Sequence, residues 1–406
     1  MSARDYENRN EGTKNINIRC HTSQMLRIRG GQETLVVVVM SVRAGLVGVG
    51  PVGDRIVRCL KERSFPLAGP LRVGATWART ETLAGEEFDV FSLDATNFEE
   101  SMKFFEGLEV VFFAGREGAR GASVTWAKPA IERYGCFCID NGSDYRLDPE
   151  VPLVVPEINM DQVIPETRLI ASPNCSTTQM VVALWPLHKA ACIKRIVVST
   201  YQSVSGWGGA AQRQLWNELR RLVSSGSVDN VDPSIFPRPI ALDCLPHIDR
   251  FQPNGYTKEE MKMVREARRI MGLPDLKVSA TAVRVPVEIG HAMSINVEFE
   301  HSLDAEKARA ILGDPAMSPG VVVIDGSTED PNAVAVRNAP EELQYPTQVD
   351  VLREEWKDLV LVGRIRNDET VEHGLNLWCV SDNLRKGAGT NVVQIAEAML
   401  ERGMIG

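Results

Sequence analysis

Three glycines at positions 48, 50 and 53 constrain the fold of this chain more than any other feature. They follow an apolar strand candidate, residues 42–47, and precede residues 54–63, whose apolar positions have helical spacing. A strand, a G-x-G-x-x-G turn and a helix in this order are typical of a dinucleotide-binding unit, because the glycines let the backbone approach a pyrophosphate at the helix N-terminus. A tight turn without a ligand is the alternative. The residues expected to contact the cofactor here are Gly48, Gly50, Pro51, Val52 and Gly53.

The next strand candidate, residues 71–76, is expected to end near the adenosine ribose of the cofactor. No Asp or Glu sits at its end to bind a ribose 2′-hydroxyl, whereas Thr76 and Arg79 lie there. These residues suit a 2′-phosphate and therefore favour NADP(H) over NAD(H). For Arg79, an ordinary surface arginine is the alternative.

The pattern of strands and helices changes once along the chain. Strand and helix candidates alternate up to about residue 170, which indicates a parallel, doubly wound sheet. Beyond that point long strands dominate, and residues 293–300 alternate strictly between apolar and polar. We therefore predict an α/β protein with a Rossmann-type dinucleotide-binding domain and an α+β domain that contains a mixed sheet. The first domain is placed at residues 40–173, completed by the C-terminal residues 374–406, and the second at residues 174–373.

Residues 1–39 stand apart from both domains. The first 34 or so are polar and lack periodicity, so we expect residues 1–39 to form a disordered extension. Met40, directly before the first firm strand, is a second candidate start codon.

Composition excludes several classes of function. The 406 residues suffice for two or three domains, and a formal net charge of −9 offers no basic surface to nucleic acid. No apolar run approaches the roughly 20 residues of a membrane span. The eight cysteines match neither a disulfide framework nor zinc spacing, which favours a cytoplasmic protein without a metal.

Cys175 lies between a proline-containing loop and an apolar helix candidate, residues 180–187. Pro173 disfavours helix at the residue before it, and Asn174 is a good N-cap residue. Cys175 is therefore predicted to sit at a helix N-terminus, where the free N–H groups and the helix dipole stabilise a thiolate. A buried core cysteine is the alternative, and on this stretch alone it is the favoured one.

Partners for a nucleophilic cysteine occur further along the chain. His291 follows Gly290 at the start of a strand candidate and can act as a general acid or base, although a structural histidine is the commoner case. Arg284 can bind a carboxylate or phosphate bidentately, and Gln202 can orient a ligand. Further charged candidates are Arg146, Glu259 and Lys262. The last two share a helix face, where a solvated pair is the simpler interpretation.

Several motifs, in the same order along the chain, resemble those of the aspartate-semialdehyde dehydrogenase family. The resemblance runs from about residue 42 to the C-terminal helix. The motifs include SPNCSTTQM at 172–180, STYQSVSG at 199–206, GYTKEEMK at 255–262, VRVPVEIGH at 283–291 and LWCVSDNLRKG at 377–387.

The resemblance implies a Rossmann-type fold, NADPH-dependent reduction of L-aspartyl 4-phosphate, and a homodimer, with a tetramer as an alternative. It implies that Cys175 is the nucleophile, His291 the general acid/base, and Gln202 a residue that orients the substrate. Arg284 would bind the substrate α-carboxylate and Glu259 its amino group. The remaining family positions are Arg146 and Lys262 for phosphate, Asn174 in the active site, and Ser176 and Asn383 for the cofactor.

Three departures from the family pattern all concern the cofactor. The glycine turn is one residue shorter than usual, residues 75–80 carry one extra residue before the arginine, and residues 114–118 replace a small Ser/Gly-rich loop. An N-acetylglutamyl-phosphate reductase is one rival interpretation, and Glu259 argues against it because an acetylated amine carries no charge to pair with a carboxylate. A catalytically silent homologue is the other rival, and the intact set of candidate catalytic residues argues against it.

Overall fold

The computed structural model describes residues 23–26, 36–115, 117–226, 235–326, 334–335 and 345–406. Strands β1 (Ser23–Leu26) and β2 (Val36–Val39) pair with each other in antiparallel register. The expectation of a disordered extension is therefore wrong for these two segments; β2 is a run of four valines, whose branched side chains favour strands. The rest of that expectation, residues 1–22 and 27–35, lies outside the described residues.

The first domain is built on a seven-stranded sheet. Its strands are β3 (Ala44–Val47), β4 (Arg72–Ala75), β5 (Arg79–Leu83), β6 (Glu86–Ser92), β7 (Val110–Phe113), β8 (Phe137–Asp140) and β9 (Leu169–Ala171). The spatial order is β5-β6-β4-β3-β7-β8-β9, and all neighbours are parallel except the edge pair β5–β6. Without that antiparallel edge strand, the order is the 3-2-1-4-5-6 order of a Rossmann fold, whose ligands bind where the order reverses. The reversal lies between β3 and β7.

The helices of this domain connect its strands. They are α1 (Pro51–Glu62), α2 (Phe98–Met102), α3 (Ala122–Tyr134) and α4 (Pro156–Asn159). Proline suits the first turn of α1 because its missing N–H would have no partner there. Five short 3₁₀ turns occur in the described chain: Ala95–Asn97, Lys103–Phe105, Met160–Gln162, Val204–Trp207 and Asp350–Leu352.

The second domain has a six-stranded mixed sheet. Its strands are β10 (Ile193–Gln202), β11 (Lys277–Arg284), β12 (His291–Phe299), β13 (Val321–Val323), β16 (Val360–Asn367) and β17 (Gly374–Ser381), in the order β11-β10-β12-β17-β16-β13. β14 (Asp325–Gly326) and β15 (Val334–Ala335) form a separate two-stranded ladder. The helices are α5 (Cys175–Ala191), α6 (Gly209–Ser225), α7 (Lys258–Ile270) and α8 (Ala305–Gly313).

The predicted boundary at residue 374 is wrong. β17 lies in the middle of the second sheet, between β12 and β16, because its apolar residues Leu375, Leu377 and Cys379 complete the core of that sheet. Only the chain after β17 returns to the first domain, through a π turn (Arg385–Gly389) and helix α9 (Thr390–Glu401). Apolar residues of α9 share a core cluster with those of α1.

Helix α5 lies at the junction of the two domains. Its buried residues belong to one continuous hydrophobic cluster that also contains Phe113 of the first sheet and Met293 of the second. A helix that is apolar on nearly all sides must be surrounded by protein, so its N-terminus is held rigidly between the domains.

The π turn is anchored on both sides by ion pairs. Arg385 is bound by Glu62 of α1 and by Asp358, which precedes β16. The ammonium group of Lys386, which is fully buried, contacts both carboxylate oxygens of Glu157 in α4 at 2.7 and 2.8 Å. The turn is thus fixed to both domains where it passes α5.

Candidate active site

A cavity of about 320 Å³ lies between the domains at the N-terminus of α5. Its walls include Pro51 and Val52 from the glycine turn, Cys175 from α5, and Asn383 and Gly387 from the segment that joins β17 to α9. Six candidate residues that are distant from one another in the sequence also line it: Arg146, Asn174, Gln202, Glu259, Lys262 and Arg284.

Cys175 is the first residue of α5, so the predicted helix start is confirmed. The side-chain oxygen of Asn174 accepts hydrogen bonds from the backbone N–H groups of Ser176 and Thr177, at 3.0 and 3.1 Å. The thiol is partly exposed to the cavity. Its desolvation, and to a lesser degree the charge of Glu259, raise the pKa of Cys175 to about 11, although nearby cations act in the opposite direction. The thiol is therefore protonated at neutral pH in the ligand-free chain.

Three candidate residues lie side by side at one edge of the second sheet, where β10 and β11 end and β12 begins. In the register of the second sheet, Gln202 on β10 lies opposite Arg284 on β11 and opposite His291 on β12. All three are almost completely buried. The sheet thus brings together an amide, a guanidinium and an imidazole that are up to 89 positions apart in the chain.

His291 lies beneath the cavity wall. A side-chain carbon added to Gly206, which lines the cavity, would come within 3.2 Å of His291 Nε2, and this nitrogen has no hydrogen-bond partner among the described residues. His291 Nδ1 accepts the backbone N–H of Ser203 at 3.1 Å. Because a backbone N–H can only donate, the neutral ring carries its proton on Nε2. Burial, together with the charge of Arg284, lowers the pKa of His291 to about 3, so the ring is neutral at physiological pH.

Glu259 connects the substrate-site candidates. Its Oε1 accepts hydrogen bonds from Asn174 Nδ2 at 2.9 Å and Gln202 Nε2 at 3.3 Å, and its Oε2 contacts Lys262 Nζ at 3.1 Å. Burial alone would raise the pKa of this carboxyl, but Lys262 and the hydrogen bond from Asn174 lower it to about 2. The interpretation of Glu259 and Lys262 as a solvated surface pair is therefore wrong: the two side chains are only 6% and 18% exposed.

Arg146 is held on the other side of the nucleophile. Its Nε donates to the carbonyl of Ser172 at 2.9 Å and its Nη2 to that of Asn141 at 2.7 Å. Its Nη1 lies 3.3 Å from the carboxylate of Glu266. Burial acts to lower the pKa of Arg146, but Glu266 raises it and the guanidinium remains charged. Sequence reasoning missed Glu266; its spacing of seven residues from Glu259, on the same helix face, is the signal that could have found it.

The glycine turn has the close packing expected of a nucleotide-binding turn. Gly48 has a φ of +117°, and a side-chain carbon on Gly53 would lie 2.1 Å from the carbonyl oxygen of Gly48. By contrast, a side-chain carbon on Gly50 would meet nothing within 4 Å, so this residue leaves open space at the start of α1. The turn lies at the reversal of strand order, since a side-chain carbon on Gly48 would contact Ala114, which follows β7.

Of the two cofactor candidates near the nucleophile, one lines the cavity and the other does not. Asn383 lines the cavity, and its Oδ1 accepts hydrogen bonds from Ser203 Oγ, Ser205 Oγ and the N–H of Gly290, each at 3.0 or 3.1 Å. Ser176 is fully buried, does not line the cavity, and its hydroxyl has no partner among the described residues.

Thr76 and Arg79 lie outside this cavity, on the segment that leads from β4 into β5. Arg79 Nε contacts the carboxylate of Glu81 at 2.7 Å, and the guanidinium stacks on Trp77 at 5.0 Å from the ring centroid. The arginine that was expected to meet a 2′-phosphate thus already has an anionic partner.

Sequence reasoning also missed Gly387. A side-chain carbon at this position would lie 2.7 Å from the Cβ of Cys175, so the π turn packs directly on the nucleophile candidate. No group of three or more His, Cys, Asp or Glu that could hold a metal ion occurs in the part of the chain that the structure describes. Among the same residues, no helix has both the length and the apolar character required to span a bilayer.

A Rossmann-type sheet and a mixed sheet that meet at a helix-start cysteine define the class of protein as a nicotinamide-dependent dehydrogenase. Two family models match the chain in agreement with this: the semialdehyde dehydrogenase NAD binding domain over residues 43–164 and the semialdehyde dehydrogenase dimerisation domain over residues 184–386. The aspartate-semialdehyde dehydrogenase of Aquifex aeolicus is 41% identical over 371 residues, which cover 90% of this chain and 100% of that protein. The chain belongs to the aspartate-semialdehyde dehydrogenase family.

Solved structures agree with this assignment. Aspartate semialdehyde dehydrogenase II from Vibrio cholerae matches with a TM-score of 0.75 at 38% identity, covering 89% of this chain and 98% of that one, and it has also been solved complexed with ASA. The aspartate semialdehyde dehydrogenase of Candida albicans, solved with NADP, shares the fold at 22% identity and a TM-score of 0.62, over 90% of this chain and 100% of that one.

Proposed function

We propose that the chain catalyses the reversible NADPH-dependent reduction of L-aspartyl 4-phosphate to L-aspartate 4-semialdehyde and phosphate, in the biosynthesis of lysine, threonine and methionine. One observation carries the proposal: Cys175 shares a cavity with Gln202, Arg284 and further cations that can bind phosphate. His291 lies directly beneath the wall of this cavity. The names of the relatives and the solved complex with ASA support the choice of substrate.

The cavity provides the groups that acyl transfer requires. After the thiol proton of Cys175 has passed to water, the thiolate attacks the acyl carbon, the bond from that carbon to the phosphate oxygen breaks, and an aspartyl thioester remains on the sulfur. Arg146 and Lys262 bind the phosphate that leaves with the electron pair. A bound cofactor would supply the hydride for reduction of the thioester. The carbon–sulfur bond then breaks, which releases the aldehyde and regenerates the Cys175 thiolate.

Two further side chains act on the acyl group. Gln202 orients the acyl group. His291, with its proton on Nε2, donates to the substrate oxygen that becomes negatively charged during the reaction.

Two side chains of opposite charge recognise the two charged groups of the aspartyl substrate. Arg284 binds the α-carboxylate through its guanidinium. Glu259, whose pKa of about 2 keeps it ionised, binds the α-ammonium group, with Asn174 holding the carboxylate in place. An N-acetylated amine offers no such cation, so N-acetylglutamyl phosphate should be rejected.

The residues of the glycine turn fit a dinucleotide. Gly48, Gly50 and Gly53 with Pro51 and Val52 would hold the pyrophosphate, because the turn leaves space at Gly50 where α1 presents its free N–H groups. Asn383, which lines the cavity, would lie on the nicotinamide side, whereas Ser176 is fully buried outside the cavity lining and would not contact the cofactor in this arrangement. On the adenosine side, Thr76 and Arg79 would bind a 2′-phosphate. This phosphate would replace Glu81 as the anionic partner of the Arg79 guanidinium.

The second sheet offers a surface for a homodimer. One face of β10, β11 and β12 packs on α5 and α7, whereas on the opposite face Ser199, Thr281 and Ser294 lie side by side and are half-buried or exposed. These small and β-branched residues suit pairing with a second copy. The match to a dimerisation domain supports this assembly. The cysteines of the described residues are all free, which fits a reducing cytoplasm.

An initial-rate assay tests the function directly. The purified chain should reduce NADP⁺ in the presence of aspartate semialdehyde and phosphate, and faster than it reduces NAD⁺ under the same conditions. Cys175→Ala should abolish this turnover while leaving the circular dichroism spectrum and thermal midpoint unchanged. Substantial turnover in this variant, or phosphate-independent turnover in the wild type, would refute the mechanism.

A further inference from the structure

Glu266 is a buried carboxylate that touches two parts of the candidate site without lining its cavity. Its Oε2 accepts the backbone N–H of Asn174 at 2.7 Å, and its Oε1 lies 3.3 Å from Arg146 Nη1. Only 1% of the side chain is exposed. It projects from the same face of α7 as Glu259 and Lys262, because residues three and seven positions apart align along a helix.

We propose that Glu266 is a positioning residue that ties the phosphate-binding arginine, Arg146, to the loop that presents Cys175. This inference rests on the function proposed above. The backbone N–H of Asn174 directly precedes the nucleophile, and Arg146 also donates to Ser172 in the same loop. Glu266 and Arg146 therefore hold residues 172–175 at two points, one through a backbone N–H and the other through a backbone carbonyl.

The charge of Glu266 has a second consequence. A buried ion pair is stable only when each charge retains its partners, and Glu266 supplies the single anionic contact within salt-bridge distance of Arg146 among the described residues. This partial neutralisation weakens the attraction of Arg146 for phosphate. We infer that it keeps phosphate binding weak enough for the product of the reductive direction to leave.

Glu266→Gln separates these roles from a purely structural one. Glutamine preserves the shape but has one acceptor oxygen and no charge, so it cannot serve both Asn174 and Arg146. We expect kcat in the phosphorylating direction to fall by about tenfold, the effect of losing one hydrogen bond to a charged group. At the same time the dissociation constant of inorganic phosphate should decrease by about three- to tenfold, since Arg146 keeps its two carbonyl contacts but loses its anionic neighbour.

The measurements are initial rates with aspartate semialdehyde, phosphate and NADP⁺, and isothermal titration of inorganic phosphate into the full chain. Glu266→Asp provides a second variant. It keeps the negative charge, but its shorter side chain no longer reaches the backbone N–H of Asn174. It should lower kcat by about tenfold while leaving the phosphate dissociation constant within about twofold of wild type. A wild-type kcat in this variant would overturn the positioning role.

Asp325→Asn is the matched control. Asp325 is also a buried carboxylate, 5% exposed, and it too binds an arginine and a backbone N–H, those of Arg309 and Ile365, away from the cavity. Asp325→Asn should lower the thermal midpoint without changing kcat or phosphate affinity. Equal kinetic effects in Asp325→Asn and Glu266→Gln, or a Glu266→Gln variant within about twofold of wild type in either quantity, would overturn the inference. Absence of phosphate-dependent turnover in the wild type would instead refute the proposed function.

Discussion

The Cys175 thiol lies among charges of both signs, and their balance determines its reactivity. Desolvation and Glu259 raise its pKa, whereas Arg146, Lys262 and Arg284 lower it. The helix N-terminus supplies a further stabilisation of the thiolate. With a pKa of about 11, only a small fraction of the thiol is ionised at neutral pH before the substrate binds.

Removal of the negative charge at position 259 should make the thiol more acidic. In Glu259→Gln, the repulsion between this side chain and the thiolate is lost, so the pKa of Cys175 should decrease. The measurement is the rate of iodoacetamide alkylation of the Cys175 peptide as a function of pH, by mass spectrometry. The exposed Cys244 in the same digest serves as the internal control, and its alkylation rate should be the same in both proteins. A midpoint for Cys175 that stays constant or moves to higher pH would contradict the assigned electrostatics.

At the scale of elements, the glycine turn combines two different demands on its residues. Gly53 allows α1 to pack against the carbonyl of Gly48, which is a requirement of the fold itself. Gly50 has a φ of −78° and free space around it, so the fold does not require glycine there. The space at Gly50 is available to a ligand.

Two alanine variants separate the glycine that stabilises the fold from the glycine that leaves room for the cofactor. Gly53→Ala should destabilise the chain, because a methyl group at 2.1 Å from a carbonyl oxygen forces the turn apart. Gly50→Ala should leave the free energy of urea unfolding of the cofactor-free chain unchanged or slightly higher. It should, however, weaken NADPH binding in a fluorescence titration, since the methyl group occupies the space proposed for the pyrophosphate. Unchanged NADPH affinity in Gly50→Ala would exclude that placement.

At the scale of the whole molecule, the active site depends on the segment that crosses from the second domain back to the first. β17 belongs to the second sheet, the π turn packs on Cys175, and α9 completes the first domain. The buried contact of Lys386 with Glu157 fixes this crossing to α4. Any rotation of one domain against the other would therefore have to move the turn beside the nucleophile.

The proposed homodimer is tested at Ser199, Thr281 and Ser294, which lie side by side on the face of the second sheet opposite α5 and α7. Ser199→Arg places a large charge at the centre of that face, where it remains solvated in a monomer but would be desolvated in a dimer. Light scattering should show the mass falling from twice the chain mass to the chain mass. Val223→Arg is the control, since it adds the same charge at a site on α6 that is 88% exposed and belongs to neither sheet. A mass that stays constant in Ser199→Arg would place the interface elsewhere.

Local sequence patterns anticipated a large part of this arrangement. The start of α5 at Cys175 follows from Pro173 and Asn174, and the glycine turn follows from its spacing between a strand and a helix. The β5–β6 edge hairpin was not anticipated, because Glu86–Ser92 and Arg79–Leu83 are largely polar and partly exposed strands with little apolar periodicity. β17 was assigned to the wrong domain because the partner strands that bury it are distant in sequence.

The sequence by itself determined the class of fold, the position of Cys175 at a helix start and the types of side chain available for chemistry, since these depend on local backbone preferences and on residue identity. Only the tertiary structure decided that Gln202, Arg284 and His291 lie side by side at one edge of the second sheet, because strand register is a long-range property of the core. It also decided that His291 carries its proton on Nε2, that Glu266 holds the nucleophile loop, and that Arg79 has Glu81 as a partner. Each of these depends on a hydrogen bond or an ion pair whose formation requires the chain to be folded.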